Sequence, residues 1–138
     1  LHIYGGAPVE VAGVVWPRAP ADAIHALPEG AIAVIPLQVG GGTRIKAYEA
    51  MATGSPVVST SVGIEGLPLV PDEHFICRDD AAGFAAAVDE LLGNAESRLQ
   101  LSRRARAFVE ARFGHLEAAR QFEQICLRTL KGDALARA

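Results

Sequence analysis

Between Ala31 and Thr60 the chain lays down an apolar run, a glycine turn, a helical stretch, another glycine and a second apolar run. The first run, Ala31 to Leu37 (AIAVIPL), is continuous, as a strand covered on both faces requires. Thr43 to Thr53 has the pattern of a helix, and Gly54 stands where a helix C-terminus favours glycine. Pro56 to Thr60 (PVVST) is the second buried strand. Strand, crossover helix and strand in this order constrain the pair to be parallel, because parallel neighbours need a connection of roughly a dozen residues or more.

The rest of the chain extends that unit. Leu1 to Tyr4, Val9 to Val15 and Phe75 to Arg78 read as further strands, and Pro20 to Leu27 as a short helix. Three helices follow. Ala81 to Leu92 carries Phe84, Val88 and Leu91 on one face, with Asp79 or Asp80 as its cap. Ala95 to Arg112 carries Leu99, Ala105, Phe108 and Val109. Leu116 to Leu130 carries Leu116, Ala119, Phe122, Cys126 and Leu130. Strands alternating with helices predict an α/β domain, a Rossmann-like parallel sheet flanked by helices. Only Gly5-Gly6-Ala7-Pro8 lies between the first two runs. They are therefore either antiparallel or lack a crossover helix.

Length and composition bound the function. The 138 residues suit a single domain, expected to span 1–138, with closing helices at about 95–130. Hydrophobic residues make up 50% and charged residues 21%, which excludes a disordered chain. The formal net charge of -3 argues against a general nucleic-acid binder. Cys77 and Cys126 are too few for a disulfide scaffold and read as buried free thiols. The four histidines, His2, His25, His74 and His115, show no metal-ligand spacing, and no metal is expected. No apolar run reaches the roughly 18 residues that span a bilayer. No basic segment precedes an apolar one at the start, so a cytoplasmic chain without signal peptide is expected. The first residue is Leu1, which fits a fragment or a processed product.

The densest chemistry lies in GGGTRIKAYEAMATGSPVVSTSVGIEGL, Gly40 to Leu67. Glycines at a strand-to-helix junction admit a ligand close to the backbone. The helix start offers unpaired N–H groups and partial positive charge, which suits phosphate. Arg44 and Lys46 add two cations where the helix dipole disfavours them, so an anion is expected there. The stretch is neither a P-loop, since Lys46 follows Ile45 rather than glycine, nor a dinucleotide fingerprint, since Ile45 stands at the third glycine position. On spacing alone, an ordinary glycine turn with solvated cations is about as good a reading. At about 100° per residue, Thr43, Lys46, Glu49 and Thr53 share one arc, while Ile45, Tyr48 and Ala52 fall opposite and are expected to face the sheet. Lys46 and Glu49 are then either a plain surface ion pair or a ligand pair. In the second case Glu49 accepts hydrogen bonds from ligand hydroxyls while Lys46 meets a phosphate.

The stretch Pro36 to Leu67 resembles the C-terminal, donor-binding domain of GT-B glycosyltransferases, in the large retaining family with the E-x7-E signature. In order along the chain, Leu1 to Gly5, VEVAGVV, FAAAVDELLG and SRRARAFVEARF resemble the family's remaining segments. The resemblance implies half of a GT-B architecture, truncated on its N-terminal side. The missing parts are the acceptor-binding domain and the first strand of the donor domain. It implies sugar transfer, with retention, from a nucleoside-diphosphate sugar to a saccharide, lipid or polysaccharide acceptor, as in cell-surface polysaccharide synthesis. It implies no cofactor beyond that donor. Carried over by position, Glu49 matches the second signature Glu, which holds the ribose. Gly41, Gly42, Thr43 and Arg44 match the loop that meets the diphosphate or sugar. Gly41 replaces the first signature Glu, as in a GGGTR-K subgroup. Arg44 and Lys46 are the expected catalytic cations, stabilising the departing diphosphate.

Other classes stay open at this point: a non-catalytic nucleotide-sugar binder or remnant, and, less favoured, an epimerase or phosphorylase of related architecture. The isolated chain is expected to be inactive. Its expected partners are the acceptor-binding domain, a partner chain or another copy of itself, because Phe108, Phe113, Phe122 and Leu130 would leave apolar surface exposed. Glu65 reads equally as a cleft residue or a solvated loop carboxylate, and Trp16 as a half-buried side chain. Ser59, Thr60 and Ser61 lack a His or Asp partner for nucleophilic chemistry.

Overall fold

A computed structural model describes residues 1–3, 10–17 and 27–130. Its elements are β1 (Ala33–Ile35), α1 (Ile45–Ala52), β2 (Val57–Ser59), a 3-10 turn at Val62–Ile64, β3 (Ile76–Cys77), α2 (Ala81–Gly93), α3 (Ala95–Phe113) and α4 (His115–Leu130). The three strands form one parallel sheet in the order β1-β2-β3, with Val34 opposite Val58 and Val58 opposite Ile76. The α/β, Rossmann-like expectation is met.

The strands are shorter than the apolar runs that announce them. Proline cannot donate to a ladder, so β1 ends before Pro36 and β2 begins after Pro56. Central β2 is buried throughout, whereas β1, an edge among the described strands, is only half-buried after Ala33. Alternate residues of β2 feed opposite layers. Val57 joins Ala50 and Met51 of α1 and Ala105 and Val109 of α3 on one side, and Val58 joins Ala87, Leu91 and Leu101 on the other. Leu101, not the exposed Leu99, is the buried leucine of α3.

Helix boundaries follow local chemistry. The Asp80 carboxylate accepts the Gly83 N–H at 2.7 Å and caps α2, as one of the two expected aspartates. Its neighbour Asp79 accepts the Ser61 N–H. Asn94 caps α3 through the Ser97 N–H. Helix α1 ends in a Schellman motif. The Gly54 N–H donates to the Met51 carbonyl and the Ser55 N–H to the Ala50 carbonyl, with Gly54 at φ +83°.

The face expected of α1 needs correction. The buried residues are Ala47, Ala50 and Met51; Ile45 and Ala52 are exposed, and Tyr48 is half-buried. Two alanines on the inner face let the helix approach the sheet and α3 closely, so the larger Tyr48 ring is left at the margin. There it stacks on Phe113 of α3 with centroids 4.3 Å apart.

The N-terminal runs also differ from expectation. Residues 11–14 form a turn, closed by the Val14 N–H to the Val11 carbonyl with Gly13 at φ +76°, not strand. The pairing that remains is an isolated parallel bridge between His2 and Val15. Tyr4, Val9 and the Ala7-Pro8 junction lie outside the described residues, as does the expected helix from Pro20, apart from Leu27.

Helix α4 has no buried residue; Phe122 is 69% and Leu130 82% exposed. Phe113 is exposed too, but Phe108 is packed, its ring 4.2 Å from that of His74. The exposed apolar surface expected of the closing helices is therefore present, without Phe108. Among the described residues no helix is long and apolar enough to cross a membrane.

Candidate functional site

In parallel α/β sheets, ligands bind outside the carboxyl ends of the strands. Two connections meet there. One runs from β1 to α1 through Pro36–Arg44, and the other from β2 through Thr60 to Leu67. Thr60 joins them: its hydroxyl donates to the Leu37 carbonyl and accepts the Gly63 N–H at 3.1 Å. The Ser59 hydroxyl donates to the Ile35 and Thr60 carbonyls. These buried hydroxyls tie the two connections to the strand ends.

Between the connections lies a cleft of about 500 Å3. One wall is Gly42, Thr43, Arg44, Ile45 and Tyr48; the other is Glu65, Gly66 and Leu67. Gly42, at φ +92°, takes a backbone conformation that disfavours a side chain, although a Cβ there would meet nothing within 4 Å. Helix α1 starts with no side-chain cap on its N-terminus and no acidic residue in its first turn. A partial positive charge is therefore left facing this end.

Arg44 is the N-cap position of α1 and is only 8% exposed. Its guanidinium folds back on the glycine loop, donating to the Gly40 carbonyl at 3.0 Å and the Gly41 carbonyl at 3.3 Å. One of its terminal nitrogens also lies 3.7 Å from the Glu65 carboxylate. Its Nε is buried with no hydrogen-bond partner among the described residues. The anion expected to offset this cation is thus partly supplied by the protein itself, by loop carbonyls and by Glu65. The geometry shows a loop-organising arginine, a role that residue spacing did not reveal.

The other expected site residues separate. Gly42, Thr43 and Arg44 line the cleft, and Gly41 is joined to it through its carbonyl. Lys46 and Glu49 stand exposed on the solvent side of α1, and neither lines the cleft. Glu65, Tyr48 and Leu67 do line it. Glu65-Gly66 in Gly63-Ile64-Glu65-Gly66 was the visible signal for the second wall, because a residue followed by glycine fits a type II turn.

Burial raises the Tyr48 phenol above its ordinary range, so it stays protonated and a hydrogen-bond donor. Burial, then Asp79, pushes the Cys77 thiol up against the opposing Arg78, which disfavours the reactive thiolate. Both cysteines are free and half-buried rather than fully buried. Among the described residues no group of three or more His, Cys, Asp or Glu side chains is placed to hold a metal.

Residues 2–94 match the family described as "Glycosyl transferases group 1". The chain is also similar to a solved structure, the C-terminal domain of the glycosyl transferase group 1 family protein LpcC from Francisella tularensis. The two are 21% identical with a TM-score of 0.63, over 74% of this chain and 54% of that one, so the likeness speaks for the fold. No curated protein gives a match. With a family match over most of its length and the fold of a C-terminal domain of that class, the chain belongs to the group 1 glycosyl transferases.

Proposed function

We propose that this chain is the donor-binding half of a retaining glycosyltransferase, which takes a nucleoside-diphosphate sugar and passes the sugar to a saccharide, lipid or polysaccharide acceptor. The observation that carries this reading is the cleft at the carboxyl end of the sheet, where the uncapped start of α1 meets a loop whose carbonyls Arg44 bonds. In this reading the diphosphate lies against the backbone of Gly41, Gly42 and Thr43, where helix and loop N–H groups favour an anion. Arg44 fixes that loop and, with Lys46, adds positive charge as the diphosphate departs. Glu49, exposed about one turn along α1 and outside the lining of the cleft, takes the ribose hydroxyls in this reading. The exposed apolar residues of α4 support a surface for the acceptor-binding half or another chain.

The test uses calorimetry on the 138-residue chain. Uridine and guanosine diphosphates should bind, while donor sugars are not transferred. Glu49→Gln should weaken ribonucleotide binding by about one to two decades, as expected for charge-assisted hydrogen bonds of roughly 1.5–3 kcal/mol. It should weaken 2′,3′-dideoxy analogues much less. Equal losses for both would remove Glu49 as the ribose acceptor and leave it a surface carboxylate.

A further inference from the structure

Glu65 is the acidic residue lining the cleft, and its side chain is 75% exposed. Its backbone is nonetheless fixed. The Leu67 N–H donates to the Ile64 carbonyl at 3.1 Å, Glu65 sits at φ -52° and ψ 133°, and Gly66 at φ +79°. That is a type II turn with Glu65 at the first corner and glycine where positive φ is required. The preceding 3-10 turn is pinned through Thr60 and through Gly63, which sits directly against Ser59 and Ile35.

The carboxylate is held near Arg44, but at 3.7 Å it is oriented by charge rather than consumed by a hydrogen bond. As an exposed residue of the cleft lining, Glu65 keeps acceptor capacity for a ligand. Beside Thr43 and Arg44, the remaining side chains around it are apolar or aromatic: Ile45, Tyr48 and Leu67. An apolar floor beside an open carboxylate suits a ring with C–H faces and hydroxyl edges. It does not suit a phosphate, which the Glu65 charge repels. Nor does it suit a bare cation, which Arg44 opposes. The anionic part of a ligand is thereby directed to the start of α1, and its hydroxylated part to Glu65.

We propose that Glu65 is a specificity-determining residue that accepts hydrogen bonds from hydroxyl groups of the donor's sugar. The proposal rests on the donor-site reading above. Calorimetry on the full chain separates the two, with uridine and guanosine diphosphates as probes, each alone and as its glucose or mannose conjugate. Glu65→Ala should lower affinity for the bound conjugate about tenfold, while the free diphosphate binds as well as before or slightly better, since a repelling carboxylate is removed. Glu65→Gln keeps one acceptor oxygen and should lose less than Glu65→Ala. Because the side chain is exposed, both variants should keep the wild-type circular dichroism spectrum. Equal losses for diphosphate and conjugate would show that Glu65 acts only through Arg44, and no loss for the conjugate would show no sugar contact; either overturns the proposal while the donor site stands. A wild-type chain that binds neither diphosphate nor conjugate overturns the donor site and this proposal together.

Discussion

Arg44→Ala is expected to abolish the ordered glycine loop and lower nucleoside-diphosphate affinity by at least about tenfold. The wild-type guanidinium bonds the carbonyls of Gly40 and Gly41 and stands beside Glu65, all from a buried position at the start of α1. Among the described residues no other side chain bonds those two carbonyls. Hydrogen bonds to a charged group contribute roughly 1.5–3 kcal/mol, so stability should fall by about 1–3 kcal/mol with water replacing part of the interaction. Arg44→Lys should not restore binding, because a single ammonium lacks the planar fork that spans two carbonyls. Thermal unfolding together with calorimetry checks both effects. An alanine variant with unchanged affinity would mean that the loop is set by its backbone alone.

Gly63→Ala should be the most destabilising single methyl addition near the cleft. A Cβ at Gly63 would lie 2.3 Å from the Ser59 hydroxyl oxygen and 2.9 Å from both the Ile35 carbonyl oxygen and its Cγ2. Ser59 can rotate away only by giving up its bonds to the Ile35 and Thr60 carbonyls, and the Ile35 carbonyl is backbone. Overpacking of this kind costs roughly 1–3 kcal/mol, and a lost buried hydrogen bond adds to it. The 3-10 turn must shift, and Glu65 with it. Chemical denaturation should therefore show a loss of about 2–4 kcal/mol. Gly41→Ala offers the control: a Cβ there meets nothing within 4 Å, and its φ is not positive, so stability should change little. Equal behaviour of the two variants would contradict the packing described for the turn.

The strand–helix–strand unit was legible because its signals agree: continuous apolar runs, a glycine junction, and glycine at the C-terminus of α1. Asp80 and Asn94 show how far local chemistry sets boundaries, since each accepts an N–H three residues on. The orientation of α1 was not legible. A wheel weighted by hydrophobicity favours Ile45 and Tyr48, but packing chose Ala47 and Ala50, because small residues permit the closest approach. That outcome depends on α3, distant in sequence, whose Ala105 and Val109 complete the same cluster.

The site was half legible. Glycine and charge pointed to the β1–α1 junction, and the family resemblance agreed with them. The second wall comes from a turn about twenty residues later, brought alongside only by the parallel register of β1 and β2. Nor does spacing say where a guanidinium will point. Arg44 and Lys46 look equivalent in sequence, yet one is buried against carbonyls and the other is exposed. The short N-terminal runs misled for the opposite reason: alternation around Val11 and Gly13 imitates a strand where the backbone makes a turn.

The most direct test is an amide chemical-shift titration of the wild-type chain with uridine and guanosine diphosphates. Saturable changes are predicted at Gly41 to Ile45 on one wall and at Glu65 to Leu67 on the other, while the α2 cap around Asp80 and Gly83 stays unmoved. No saturable change with either diphosphate, or changes confined to residues away from the two connections, would contradict a donor site at the carboxyl end of the sheet.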